Sequence, residues 1–255
     1  MKSKVFILTL VLSLLLVGCG GSEPAASPAS EPAAEPTAAP TPEPTPEPTP
    51  EPEAKWEIVG QSFKSWPGLV GADAQGIVLV KNTGDLNLYL DSGIFDLEAA
   101  DGSLLCTTEY VAAYPQVLQP GETGWYYEDS MFRLDEPAEG AVIAPRLPIK
   151  EATVECIRFP VSDVKVEFDS TYKRLTLLGR VENTSDAEQS MIYVAAMLYG
   201  ENDAPLGAIF SIAKDVPAGE KAGFDQMALG IPEDITEEDI VRIETIAWLN
   251  QWQFD

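Results

Sequence analysis

Val80-Lys81-Asn82-Thr83-Gly84-Asp85 returns later in the chain as Val181-Glu182-Asn183-Thr184-Ser185-Asp186. The likeness continues past both copies. Gly93–Leu105 (GIFDLEAADGSLL) stands against Val194–Gly207 (VAAMLYGENDAPLG), with Asp101 opposite Asp203 and Leu104 opposite Leu206. Next, Leu118–Tyr127 (LQPGETGWYY) stands against Val216–Asp225 (VPAGEKAGFD), with Gly121-Glu122 opposite Gly219-Glu220. Landmarks that recur in one order indicate a tandem duplication. The expected domains are 55–160 and 161–255.

Each unit reads as short strands. Val164, Val166 and Phe168 alternate with Lys165 and Glu167, the period of a half-buried strand. Leu175, Leu177 and Val181 continue into a second strand that ends at Asn183-Thr184-Ser185-Asp186. Asn, Ser and Asp favour turns because their side chains bond local backbone. Met191–Tyr199 is apolar on both faces, as a central strand is. Turn signals near every ten residues or so predict an all-β chain, two tandem Ig-like antiparallel β-sandwiches. Thr236-Glu237-Glu238-Asp239 is the one helical hint, a start resembling a capping box.

Repeat two also carries Gly179-Arg180-Val181-Glu182-Asn183-Thr184-Ser185, then Ala196-Met197-Leu198-Tyr199, then Pro217-Ala218-Gly219-Glu220 with Phe224 behind. This order resembles the FxLYD domain and related Ig-like modules of bacterial lipoproteins. Two positions depart from that pattern: Ala196 stands where the family has Phe, and Gly200 where it has Asp. Repeat one is further away, with Phe95-Asp96-Leu97-Glu98. The resemblance implies a sandwich fold and no assigned chemistry.

Residues 1–19 begin with Lys2 and Lys4, then run apolar from Val5 to Val17. That run is shorter than the roughly 20 residues a spanning helix needs, and has the form of a secretory signal. It ends in Leu16-Val17-Gly18-Cys19, which resembles a bacterial lipobox. The resemblance implies a lipoprotein signal peptide, acylation of Cys19 and an extracytoplasmic chain anchored to the bacterial cell membrane by lipid. Each buried methylene contributes about 0.8 kcal/mol, so two or more acyl chains hold a protein stably. Residues 20–54 hold eleven prolines and seven glutamates and end in TPEPTPEPTPEP followed by Glu53 and Ala54. Such a linker is expected to be disordered and extended as polyproline II, reaching about 90–100 Å.

The formal charge is −25, with 16 basic and 41 acidic residues. This argues against a nucleic-acid partner, whose phosphates need basic contacts. Histidine is absent, which removes zinc hydrolysis of the usual kind and His-dependent triads. No G-x-S-x-G or phosphate loop occurs, so no enzyme and no cofactor are expected. Acidic turns at Glu201-Asn202-Asp203 and at 233–239 supply oxygen ligands, yet no calcium-loop pattern accompanies them, and no metal site is expected.

Cys106 and Cys156 are the remaining thiols, both expected in strands of the first domain. Either they form a disulfide, or they are two separately buried thiols acting as small hydrophobes. Trp125 and Tyr127 share one strand face where repeat two has only Gly223 and Asp225. That pair is either a contact patch for a glycan or protein, or is buried under a loop or against the second domain. Trp248 is expected in the core, with Trp252 and Phe254 packing on the domain junction.

These readings describe a monomer whose two modules bind, without catalysis, an envelope polymer, glycan or protein. The alternatives are a solute-binding or transport-accessory lipoprotein, which needs a hinged α/β body, and a passive spacer without a ligand.

Overall fold

The structure is a computed structural model that describes residues 52–251, with the backbone alone for Gln251. The signal sequence, Cys19, most of the Pro-rich linker, Trp252 and Phe254 lie outside the described residues. None of the described helices is long and apolar enough to cross a membrane.

Among the described residues, sixteen strands follow in order. They are β1 (Trp56–Pro67), β2 (Ala72–Asn82), β3 (Leu88–Leu90), β4 (Gly93–Glu98), β5 (Leu104–Tyr114), β6 (Val117–Leu118), β7 (Thr123–Glu128), β8 (Val142–Arg146) and β9 (Ile149–Glu151). Then come β10 (Glu155–Arg158), β11 (Val161–Asp169), β12 (Arg174–Glu182), β13 (Gln189–Tyr199), β14 (Pro205–Val216), β15 (Lys221–Met227) and β16 (Arg242–Gln251). Two 3-10 turns interrupt them at Glu201–Asp203 and Glu237–Asp239, the second closed by the Thr236–Asp239 capping box. Four sheets result, ordered β1-β2-β7-β5-β4-β8, β6-β3-β9, β10-β16-β13-β14 and β11-β12-β15. The strand pairs in all four are antiparallel. The chain is therefore all-β, built as two sandwiches. The six-stranded sheet curls enough for its edge strands β1 and β8 to approach each other.

The repeated Asn explains why the motif recurs. Asn82 is fully buried at the end of β2, and its Nδ2 donates to the carbonyls of Leu86 (2.8 Å) and Leu118 (3.1 Å). Asn183 is fully buried at the end of β12, and its Nδ2 donates to the carbonyls of Ala187 and Val216, both at 2.8 Å. Each Oδ1 accepts the amide N–H two residues on, from Gly84 or Ser185, at 3.0 Å. The backbone repeats too. Gly121 N–H donates to Asn82 O (3.0 Å) and Gly219 N–H to Asn183 O (2.8 Å). Both glycines have positive φ, +82° and +73°, which the Pro/Gly turn requires and a side chain would resist. One carboxamide thus ties a strand end, the loop after it and the turn that later carries the chain from one sheet to the other.

Alternation along the strands builds three apolar layers. Val78 and Val80 of β2 and Tyr126 of β7 fill the first sandwich with Leu88, Phe95 and Leu97. Leu177, Val181, Ile192, Val194, Leu198 and Phe224 fill the second. The opposite faces of the same strands form a layer between the sandwiches: Ile77, Leu79 and Trp125 pack with Ala195, Met197, Tyr199, Ala208 and Trp248. Met191–Tyr199 is apolar on both faces because one face meets its own sandwich and the other meets the neighbour. Fully burying a large apolar side chain contributes about 1.5–3 kcal/mol relative to exposure, so this layer joins the pair into one body. Polar contacts reinforce it. Gln75 Nε2 donates to Leu206 O (2.7 Å), Asn250 Nδ2 to Gln116 Oε1 (2.9 Å), and Arg158 Nε to Glu122 Oε1 (2.9 Å).

Cys106 and Cys156 are free, so the disulfide alternative is not realised. Cys106 sits on β5 against the first core, whereas Cys156 sits on β10 against the inter-sandwich layer. β10 pairs with β16, so Cys156 belongs to a sheet of the second sandwich. Two thiols packed on different cores, in different sandwiches, do not meet.

Candidate functional site

Trp125 and Tyr127 do not form an open contact patch. They share a face as alternation requires, but that face is the inter-sandwich layer. Trp125 is 1% exposed, and the half-buried Tyr127 donates its hydroxyl to Gly230 O of the second sandwich (3.2 Å). Burial is the main cause that holds the Tyr127 phenol far above its ordinary pKa, with Asp129 adding to it.

The concave surface at the junction lies beside that face. β5 supplies one wall. Its register against β4 shifts where Gly93 pairs with Val111 and Ile94 with Glu109, leaving Tyr110 as the unpaired bulge residue. Tyr110 has φ +63° and is 78% exposed. A left-handed backbone is costly for a bulky residue, and bulges re-aim side chains. Beyond it, Val111 and Ala113 turn inward while Ala112 and Tyr114 stay half-buried on the groove side.

The second sandwich supplies the other wall. Tyr193 on β13 and Trp248 on β16 are direct cross-strand partners, and Phe210 on β14 lies diagonally from Tyr193. Tyr114 crosses the junction to stack on Phe210 with ring centroids 5.1 Å apart at 30°. Phe210 stacks in turn on Tyr193 (5.9 Å, 28°), and Tyr193 meets Trp248 at 5.7 Å. Offset and tilted rings in this range attract beyond the area they bury. Tyr89, Asp91, Ser92 and Gln116 complete a groove of about 300 Å³. Lys150 Nζ stands 5.2 Å over the Tyr89 ring.

A second cleft of about 280 Å³ adjoins it and shares Ala112, Tyr114 and Phe210. Its walls are Tyr127–Ser130 and Gln226–Leu229, with Ala208 and Ile209. Glu128 is held there by structure, its Oε1 accepting N–H bonds from Ser130 and Met131, both at 2.7 Å. Burial pushes the Asp129 carboxyl above the usual carboxylate range, the neighbouring Glu128 charge adds to this, and Tyr127 opposes it. Burial likewise raises the Tyr114 phenol, helped by Asp129 and Glu128. Neither cleft is lined by a lysine or arginine.

Elsewhere the acidic turns are committed locally. Asp203 Oδ1 accepts from Arg242 Nη2 at 3.0 Å, and Asp239 caps Thr236. Among the described residues no three His, Cys, Asp or Glu side chains gather as a metal set.

Sequence reading overlooked Tyr110, Tyr114, Tyr193 and Phe210. The spacing Tyr110-x-Ala112-x-Tyr114 was the available signal, since it puts two tyrosines on one strand face around a small residue. Phe210 and Tyr193 carried none, because aromatics in an apolar run read as core.

No family model and no curated protein matches the chain. The FxLYD resemblance therefore rests on its quoted residues alone. Among solved structures, the N-terminal CBM22-1-CBM22-2 tandem domain of Xyn10C from Paenibacillus barcinonensis is 10% identical, with 79% of this chain and 88% of that chain covered, at a TM-score of 0.18. A likeness at that score adds nothing to the reading of the site.

Proposed function

We propose that this chain is a non-catalytic binding protein of the bacterial envelope. Lipid on Cys19 holds it outside the membrane, the Pro-rich segment spaces it outward, and the paired sandwiches engage an envelope polymer or protein. Support for the anchor comes from Leu16-Val17-Gly18-Cys19 at the end of an apolar run. The FxLYD-like order of residues in repeat two fits the same class of surface lipoprotein.

One observation carries the binding role: the junction groove, where Tyr110 stands exposed on a strained bulge beside the stacked Tyr114, Phe210 and Tyr193. Binding sites concentrate aromatic contact surface in concave places with a few polar groups. A solute-binding protein would need a hinged α/β body, whereas the described residues form strands and two short 3-10 turns.

The anchor is tested on the full chain: the parent should carry acyl mass on Cys19 and Cys19→Ser should carry none, and acyl mass that survives the substitution would sink the anchor. The groove is tested on the chain without residues 1–19, which lacks both the apolar run and the acceptor sulfur and should co-sediment with purified envelope. Adding Tyr110→Ala should cut that retention about tenfold, and retention indifferent to Tyr110 would sink the groove.

A further inference from the structure

We infer that the junction groove binds an uncharged glycan chain, an inference that rests on the binding reading above and names its ligand. Shape is the first ground. The clefts of about 300 and 280 Å³ share Ala112, Tyr114 and Phe210 and so stand next to each other along the junction. Neighbouring shallow clefts suit a ligand of repeating units; a small ligand is better enclosed in a pocket that buries most of its surface.

Surface chemistry is the second ground. A pyranose ring presents a face of C–H groups between edges of hydroxyls. The C–H face packs on an aromatic face through dispersion and the negative ring quadrupole. Tyr110 offers such a ring, 78% exposed, and the half-buried Tyr114 and Tyr193 offer further partial faces. Asp91 and Ser92, both exposed, stand on the same groove as a carboxylate and a hydroxyl. A sugar hydroxyl donating to a carboxylate makes one of the stronger hydrogen bonds.

Charge is the third ground. The two linings contain Asp91, Glu128 and Asp129 and no cationic side chain. An anionic polymer would bring like charge to three carboxylates, with Lys150 over the Tyr89 ring as the cation placed beside them, and its encounter with a chain of net charge −25 would be slowed. A cationic ligand would satisfy the charge and would meet the same open Tyr110 face, so the spermine arm of the test decides between it and a neutral chain.

The experiment titrates the chain without residues 1–19 with four probe classes. These are neutral hexasaccharides of glucose and of N-acetylglucosamine, polygalacturonate, poly(glycerol phosphate), and spermine. Calorimetry reads binding, and its loss in variants of the groove residues reports its place. A neutral hexasaccharide should bind, and Tyr110→Ala should weaken it about tenfold with Asp91→Ala also weakening it. Tyr110 is exposed, so circular dichroism should be unchanged in its variant. Binding only to the anionic polymers or to spermine, neutral binding that ignores both variants, or no binding to either hexasaccharide would overturn the inference. In each of those cases, Tyr110-dependent envelope retention keeps the binding reading and moves the ligand to another class, such as a polypeptide. Loss of that dependence removes both.

Discussion

Replacing Asn183 by Ala removes a fully buried carboxamide that makes four hydrogen bonds. It donates to Ala187 O and Val216 O at 2.8 Å each, and accepts from Ser185 N–H at 3.0 Å and Ser185 Oγ–H at 2.7 Å. Only the bond to Val216 O is buried, and there water cannot replace the lost donor. A buried group left unsatisfied costs about 1–3 kcal/mol, and each remaining, water-reachable bond about 0.5–1.5 kcal/mol net. Some of the latter recovers by relaxation, which gives about 3 kcal/mol in all. Asn82 makes three such bonds, since Gly84 stands where Ser185 does and has no hydroxyl to donate. Asn82→Ala should therefore lose slightly less, about 2–3 kcal/mol. Asn183→Asp keeps the shape but points a carboxylate at two carbonyl oxygens. It should cost at least as much at neutral pH and recover in part in acid, once the carboxyl carries a proton to donate. Urea unfolding of the chain without residues 1–19, followed by tryptophan fluorescence, reads these differences as midpoint shifts. If either Ala variant unfolds within 0.5 kcal/mol of the parent, the carboxamide is not what ties the strand end, and the recurrence of the motif needs another cause.

Trp125→Ala should cost about 3–5 kcal/mol and separate one unfolding transition into two, because it empties the centre of the layer that joins the sandwiches; a single unshifted calorimetric transition would refute this. Asp129→Asn should stabilise the protein at neutral pH. Its carboxyl titrates higher folded than unfolded, so the native Asp is without penalty below the unfolded pKa and loses stability as pH rises through the folded value. The gain from Asn should accordingly grow with pH from about 4 upward and then level off, as read by melting temperature across a pH series. Peptide mapping without reductant should recover the Cys106 and Cys156 peptides separately, and a joined pair would contradict their placement on different cores.

Much of the fold was legible because local rules act within a few residues. The turn at Asn183-Thr184-Ser185-Asp186, the half-buried strand at Val164–Phe168 and the Thr236 cap all follow from neighbours in sequence. What lay beyond the sequence was the occupant of each buried face. Cys156 sits in a four-residue strand with no periodicity to show that β16, far along the chain, would claim it. Tyr110 reads as an ordinary strand residue, and only the slip between Gly93 and Ile94 turns it into a bulge. The groove joins walls from both repeats, so no single repeat contains its pattern.

The duplication also leaves the pair with two unlike outer faces. The first sandwich docks through β2, β7 and β5, while the second docks through β13, β14 and β16, a different sheet. Such a contact is heterologous, and heterologous contacts propagate unless the free faces differ from the joined ones. Both free faces do differ. On the second sandwich, the motif alignment puts exposed Arg180 where the first has Leu79, and exposed Gly223 and Asp225 where it has Trp125 and Tyr127. On the first sandwich, β4 turns Asp96 outward to accept from Arg146 Nε of β8 (2.8 Å) and Thr107 of β5 (2.6 Å). Those contacts, Arg146 foremost, hold the Asp96 carboxyl below its ordinary range, so it stays ionised at neutral pH. A repeat array needs polar outer faces at its ends, and here each copy has diverged at the face its twin does not cover. The asymmetry between Trp125 and Gly223 is thus a record of which faces became interface, and the aromatic groove lies at the rim of that one interface.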